Sequence, residues 1–550
     1  MRTRTHTART LLAVLLLCLA ASGAAAEERG FTILGINDVY RIAGLDAGTR
    51  GGPARVRALR AALEKSGLPV LLLHAGDIVA PSFLSRTYDG AQMIAVLNAL
   101  DGVPAGFDPY MFATFGNHEF DKRKLKDVGI LADRVRESGF TWLSANIDFA
   151  AGADGAPLVG GPKVARQTIV RLGGVQVGLF GLTTNITVPD YVAAIADPIA
   201  VARERTAVLR AGGAQVVIAV THLAMEEDRA LLAALEGEGP DLIIGGHEHT
   251  RQSWTSPGGR SVVKADADAV SATLADVTLT ADGRPRIAFR TVELGTDNPA
   301  PDPAVATLVE TWTRRHGIAF CAAQTPPTRP GCLDAVEGRA ADTLVAEELE
   351  IRGYETNFGD WIMDRALDAF RDSGAQATFI NAGSLRLNQN IAAGQAITRR
   401  TVEELFAFPT GLRLIEIDGA TLRQVVEHAV TGWPGNGRWL QVAGLAFRHD
   451  PAAGTATGLV LLGADGPRPV KDGDRIKLVT GTYLLDRSGD QDGYTMLGTE
   501  QIVPGSAEDK RLKDLVIEGL QAAGKAGIAP QIEGRICTTG RPGPCLAGEE

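Results

Sequence analysis

The chain has 550 residues, 45% of them hydrophobic and 22% charged, and a formal net charge of −10. That length exceeds one ordinary domain, the balance is that of a globular protein, and the acidity argues against a general nucleic-acid binder. Small anions are not excluded, because metals and a few arginines reverse a local field.

Residues 1–26 carry Arg2, Arg4 and Arg9 ahead of an apolar run at 11–20, and Ala24, Ala25 and Ala26 supply small residues for cleavage. They read as an export signal, whose loss takes the charge from −10 to −13. The run is too short for a membrane span and no later run reaches spanning length. The expectation is an exported protein, periplasmic or secreted, without a membrane anchor. Beyond Cys18, four cysteines remain, Cys321, Cys332, Cys537 and Cys545, an even number suited to an oxidising compartment. Three pairings are open, and the short separations favour Cys321–Cys332 and Cys537–Cys545.

Residues 31–36 form an apolar, β-prone run that ends at Asn37 and Asp38. Residues 70–73 do the same before His74, Ala75, Gly76 and Asp77, and 110–115 precede Gly116, Asn117, His118, Glu119, Phe120 and Asp121. Residues 216–220 lead to Thr221 and His222, and 242–244 to Gly245, Gly246, His247, Glu248 and His249. Each polar group follows a predicted strand, where sheet enzymes collect their ligands. Helical patterns at 53–65 and 91–100 alternate with the strands, which implies a layered α/β domain over 27–300. His74 reads as a buried histidine.

Eight histidines follow residue 26, and four of them (His118, His222, His247 and His249) occupy these strand ends. With Asp38, Asp77 and Asn117 they make a mixed nitrogen and oxygen set that suits two divalent metals such as Mn²⁺, Zn²⁺ or Fe. A carboxylate can bridge two cations, which gives Asp77 a distinct place. Asp121 lies close enough in sequence to orient the His118 imidazole.

The ordered series Asn-Asp, Gly-Asp, Gly-Asn-His-Glu-Phe-Asp, Thr-His and Gly-Gly-His-x-His resembles the calcineurin-like metallophosphoesterases. Trp142-Leu143-Ser144-Ala145-Asn146 and Gly181-Leu182-Thr183-Thr184 narrow the resemblance to the secreted 5′-nucleotidase/UDP-sugar hydrolase family. It implies an α/β/β/α sandwich followed by a smaller α+β domain. It also implies one metal on Asp38, Asp77 and His249, and a second on Asp77, Asn117, His222 and His247. His118, supported by Asp121, is implied to stabilise the transition state and leaving group. The family usually has Asp-x-His at its first motif; here Tyr40 takes the histidine position.

After a Pro/Asp-rich stretch at 296–303, residues 304–316 have helical periodicity, and the segment 321–332 reads as an exposed loop within a connector at 301–339. A helix is predicted over 357–371 and a strand over 377–380, followed by the small-residue turn Asn381-Ala382-Gly383-Ser384-Leu385-Arg386. Such a turn lets amides and a guanidinium approach an anion. The resemblance continues here, implying a substrate-binding domain at 340–537 and a tail at 538–550. By it, Arg352 and Arg386 contact phosphate, and Asn381, Tyr483 and Asp492 contact substrate. The family's other base-stacking aromatic is replaced by Thr410.

The expected function is metal-dependent release of phosphate from nucleotides or other small phosphoesters. Cyclic-nucleotide phosphodiesterase/3′-nucleotidase, UDP-sugar hydrolase and thiosulfohydrolase chemistry are alternatives on the same scaffold. An exported nucleotide-binding protein with a degenerate site is the non-enzymatic one.

Overall fold

The runs that read as continuously apolar are strands buried on both faces. In Gly30–Ile36, Phe31 and Ile33 point one way and Leu34 and Ile36 the other, and each pair enters a different core. The computed structural model describes residues 30–548 apart from 104, 186–187, 297–298, 325 and 507–509. The leader expected at 1–26 lies outside the described residues.

A seven-stranded sheet runs in the order Pro285–Glu293, Ser271–Leu279, Gly30–Ile36, Val70–His74, Met111–Thr114, Thr141–Leu143, Val164–Ala165. Its pairings are parallel from Gly30–Ile36 onward and antiparallel at the Ser271–Leu279 side. A six-stranded sheet contains Leu242–Gly245, Val216–His222 and Val175–Thr183 as parallel neighbours. Phe31, Ile33, Leu71 and Leu73 of the first sheet meet Val177, Leu179, Ile218 and Ile244 of the second in a shared core. The outer faces carry helices: Pro53–Lys65, Ala91–Leu97 and Val128–Glu137 on one side, Pro198–Ala211 and Met225–Ala234 on the other. The expected α/β/β/α layering is the observed one.

Three local expectations are corrected. Thr221 and His222 lie inside the strand Val216–His222, because pairing to Leu182 and Thr183 continues to its end. The helix predicted over 91–100 ends at Leu97. The connector helix runs Pro303–Ala322, started by the Asp302 carboxylate accepting from Ala304 N–H and Val305 N–H, so Cys321 sits buried in its last turn rather than in an exposed loop. Cys321 pairs with Cys332 and Cys537 with Cys545, as the separations favoured.

The second half builds two four-stranded sheets. One has the order Leu412–Asp418, Arg475–Gly481, Ala377–Asn381, Leu440–Ala443; the other includes Leu445–Asp450 and Ile536–Thr538. The amphipathic helices Asn357–Phe370 and Gly419–Val430 bury their apolar faces against them. Among the described residues no helix is long and apolar enough to cross a membrane.

Candidate active site

The polar loops leave the C-terminal ends of parallel strands in both sheets and converge on one point. Four of the residues found there hold left-handed backbone, with φ of 51° at Asp38, 58° at Asp77, 91° at His247 and 62° at His249. Such geometry is uncommon outside glycine, costs about 1–3 kcal/mol per residue, and clusters at functional sites. Gly116 lets two of the loops touch: a Cβ there would lie 2.1 Å from Asp77 Oδ1 and 2.8 Å from His222 Cε1.

Two donor groups share Asp77. In the first, the Tyr40 hydroxyl lies 2.8 Å from Asp77 Oδ2, 2.8 Å from His249 Nε2 and 3.2 Å from Asp38 Oδ1. Asp38, Asp77 and His249 form a buried cluster of metal-ligating type. In the second, Asn117 Oδ1 lies 3.1 Å from His222 Nε2 and 3.2 Å from His247 Nδ1, and those two nitrogens are 3.3 Å apart. His222 Nδ1 sits 2.7 Å from the Ala75 carbonyl, which can only accept, so Nδ1 carries a proton and Nε2 faces inward. Asp77 Oδ2 is 3.4 Å from that Nε2.

Burial opposes a charged ring, yet Asp77 and Asp38 push His222 up to about 10. Burial and the neighbouring His222 hold His247 well below its ordinary value. Burial, then Asp77 and Asp38, raise the Tyr40 hydroxyl well above its usual range, so Tyr40 is a neutral phenol here. The site thus gathers lone pairs and anionic oxygens around a place that favours positive charge, and the donors fit divalent metals.

His118 opens the short helix His118–Phe120, with Nδ1 2.9 Å from Asp121 Oδ1 and Nε2 4.0 Å from Asp77 Oδ2. Burial works against its charged form, but Asp121 and Asp77 outweigh it and raise the ring above its ordinary value. Across the cleft Arg386 brings a terminal nitrogen to 3.5 Å from His118 Nε2. Its Nε donates to the Gly383 carbonyl at 2.7 Å, and its guanidinium lies 5.4 Å over the Phe408 ring. The other terminal nitrogen, Nη1, is buried without a hydrogen-bond partner.

A cavity of about 590 Å³ runs from Asn117, His118 and Asp121 to Asn381, Tyr483 and Asp492, with Thr410 and Phe408 in its wall. Asn381 Nδ2 donates to Asp492 Oδ2 at 2.7 Å, and the Tyr483 hydroxyl donates to Asp490 and reaches Asp492 Oδ1 at 3.1 Å. Arg352 does not line this cavity. It is buried beside Glu348, 2.8 Å from its Oε1, and its Nε makes no hydrogen bond.

Sequence reasoning missed the residues that hold these loops. Glu119 accepts from the backbone N–H groups of Asp77, Ile78, Val79 and Gly116, tying the 76–79 loop to the 116–121 loop. Burial and Asp77 push it up to about 7. Asp268 accepts from Tyr40 N–H and Arg41 N–H, both at 2.9 Å. Lys264 is buried with Asp228 at 3.0 Å and Glu248 at 2.7 Å, and it donates to the Leu223 carbonyl, joining the loops of His222 and His247. Glu119 and Glu248 stand inside motifs already singled out, whereas Asp268, Lys264 and Asp228 do not.

The comparisons with known proteins agree with this geometry. The family model for calcineurin-like phosphoesterases matches residues 31–251, and that for the 5′-nucleotidase C-terminal domain matches 336–499. The 5′-nucleotidase of Homo sapiens is 24% identical over 525 residues, covering 88% of this chain and 85% of its own. Protein 5NUC of Lutzomyia longipalpis is 25% identical over 595 residues, covering 95% and 96%. Among solved structures, a 5′-nucleotidase precursor from Thermus thermophilus shares the fold with a TM-score of 0.76 at 24% identity, over 93% of this chain and 100% of its own. With both family models matched in order and the donor set in place, the chain belongs to the 5′-nucleotidase family of calcineurin-like metallophosphoesterases and is a metal-dependent phosphoester hydrolase.

Proposed function

We propose that the protein is an exported two-metal hydrolase that releases phosphate from nucleotides. The observation that carries this reading is the meeting of His118 with Arg386 across the cleft. Two groups that carry or favour positive charge face each other at 3.5 Å, with a buried guanidinium nitrogen left over, an arrangement that an anion between them resolves. The two disulfides support export.

Asp38, Asp77 and His249, with Tyr40 at the usual histidine position, would hold one metal; Asp77, Asn117, His222 and His247 would hold the other. When bound, the metals supply Lewis-acid charge that neutralises phosphate oxygens and makes water acidic enough to attack phosphorus. Arg386 orients the phosphate with planar charge-assisted bonds, and Arg352, buried outside the cavity, adds positive charge nearby. Asp121 accepts from His118 Nδ1–H and favours the protonated ring, and in that form Nε2–H can donate to the departing oxygen. Asp492 and Asn381 offer acceptors and donors to a sugar, and Tyr483 offers an aromatic face. The metal ligands come from 27–300 and the phosphate and sugar contacts from 340–537.

The test is phosphate release from nucleoside monophosphates, cyclic nucleotides, sugar nucleotides and simple phosphomonoesters. Metal-free protein is reloaded separately with Mn²⁺, Zn²⁺, Co²⁺ or Fe²⁺. Hydrolysis confined to substrates without a nucleoside would overturn the nucleotide assignment.

A further inference from the structure

We propose that Glu348 is a positioning residue that fixes the first-metal histidine, His249, from the opposite half of the chain and ties it to Arg352. This rests on the two-metal reading above and adds a dependence of one metal site on the second half.

A single carboxylate oxygen makes both contacts. Glu348 Oε1 lies 2.5 Å from His249 Nδ1 and 2.8 Å from a terminal nitrogen of Arg352. All three side chains are buried. Glu348 and His249 are 99 residues apart, whereas Glu348 and Arg352 are one helical turn apart. The turn that carries Glu348 is held in place by Glu347, whose carboxylate accepts from Leu349 N–H and Glu350 N–H.

The chemistry of the contact sets the histidine. Paired with Arg352, the carboxylate is an acceptor, so His249 Nδ1 carries the proton and Nε2 is turned toward Asp38 Oδ1, 3.4 Å away, and the Tyr40 hydroxyl. A histidine that binds metal through one nitrogen is oriented, and made more basic, by a carboxylate on the other. Here that carboxylate arrives from across the cleft. The first site is therefore complete only while the two halves are together, whereas His222 of the second site is oriented within its own half by the Ala75 carbonyl. Arg352 meets Glu348 through Nη2 as an ion pair without an aligned hydrogen bond, and its Nε makes no hydrogen bond, so the carboxylate is held in place by charge from one side and receives Nδ1–H from the other.

The experiment titrates metal-free full-length protein with Mn²⁺ alone by calorimetry, comparing wild type, Glu348→Ala and Glu348→Gln, with a melting curve for each. Wild type should bind two equivalents. Glu348→Ala should weaken one of them by about 10–100-fold and leave the other unchanged. Glu348→Gln, whose amide oxygen still accepts from Nδ1–H, should recover most of that loss. Glu348→Asp keeps the charge but draws it back, and carries the same expectation as alanine if the alanine variant does not fold. In a His249→Ala background Glu348→Ala should have no further effect, since the two act as a unit. Unchanged affinities, equal weakening of both equivalents, or a glutamine variant as weak as alanine would overturn the assignment. Fewer than two equivalents in wild type would overturn the two-metal reading itself, which separates the two failures.

Discussion

Gly116→Ala tests the convergence of the loops with one methyl group. Gly116 does not have left-handed backbone, so alanine meets no conformational penalty and the effect is steric alone. The added Cβ would stand 2.1 Å from Asp77 Oδ1, 2.6 Å from Asp77 N and 2.8 Å from His222 Cε1. Ordinary contact begins at about 3.5 Å, so the Asp77 carboxylate must retreat by more than about 1 Å. Overpacking of that kind costs about 1–3 kcal/mol of stability. A displacement of about 1 Å in a catalytic constellation costs about 10²-fold in rate. Because Asp77 is shared by both donor groups, both Mn²⁺ affinities should fall together, unlike the selective loss expected at Glu348. The assay is kcat for nucleotide hydrolysis, with Mn²⁺ calorimetry and a melting curve on the same preparation. Gly129→Ala is the control: its Cβ meets nothing within 4 Å, and in the helix Val128–Glu137 it should stabilise by about 0.5–1 kcal/mol with kcat unchanged. A Gly116→Ala enzyme with wild-type kcat and metal affinity would refute the packing argument.

His247→Ala should lose one Mn²⁺ equivalent and nearly all turnover, whereas His118→Ala should keep both equivalents and slow kcat by about 10²–10⁴-fold; metal loss in the second variant would make His118 a ligand. Tyr40→His should tighten one of two Mn²⁺ equivalents, and two unchanged affinities would place Tyr40 outside the coordination sphere. Thr410→Phe should restore an aromatic face opposite Tyr483 and lower KM for a nucleotide by about tenfold while leaving a base-free phosphoester unaffected, stacking being worth about 1–3 kcal/mol; equal shifts for both substrates would refute it. Stability should fall on acidification through His316, a buried ring edge-on to Phe83 at 4.4 Å, with no hydrogen bond on either nitrogen. Burial, then the charges of Arg400 and Arg86, pull it down to about 4. The unfolded chain, with a value near ~6.5, therefore binds more protons between the two values, so stability is full above the higher one and is lost toward the lower. His316→Phe should flatten the fall in melting temperature between pH 6.5 and 4, and parallel curves would exclude the effect.

The metal donors were legible because each is a polar residue directly after a short apolar run, and the parallel sheet turns that local pattern into shared position. Glu348 was not legible as a partner of His249, because the two are 99 positions apart and nothing in the chain between them records that two halves close on each other. Its spacing from Arg352 was visible and points only to a helical face. The loop expected over 321–332 begins later than the sequence implies, because the helix runs on to Ala322 and buries Cys321 in its last turn. In the second half the turn around Asn381 and Arg386 was readable from its small residues. The role of Phe408 was not, since it is two residues from the position where an aromatic was sought and stacks on Arg386 instead.

The hairpin joining Ser271–Leu279 to Pro285–Glu293 has a practical consequence. Its turn is exposed, and Gly283 takes the left-handed conformation that closes it. The register pairs Thr278 with Gly30, so the turn lies beside the beginning of the strand whose far end delivers Asp38. A seven-residue strand spans about 20 Å. A single cysteine or short ligation tag placed at Asp282 would anchor the enzyme to a bead or electrode by the end remote from the cleft, leaving the mouth turned toward the liquid and the two halves free of the support.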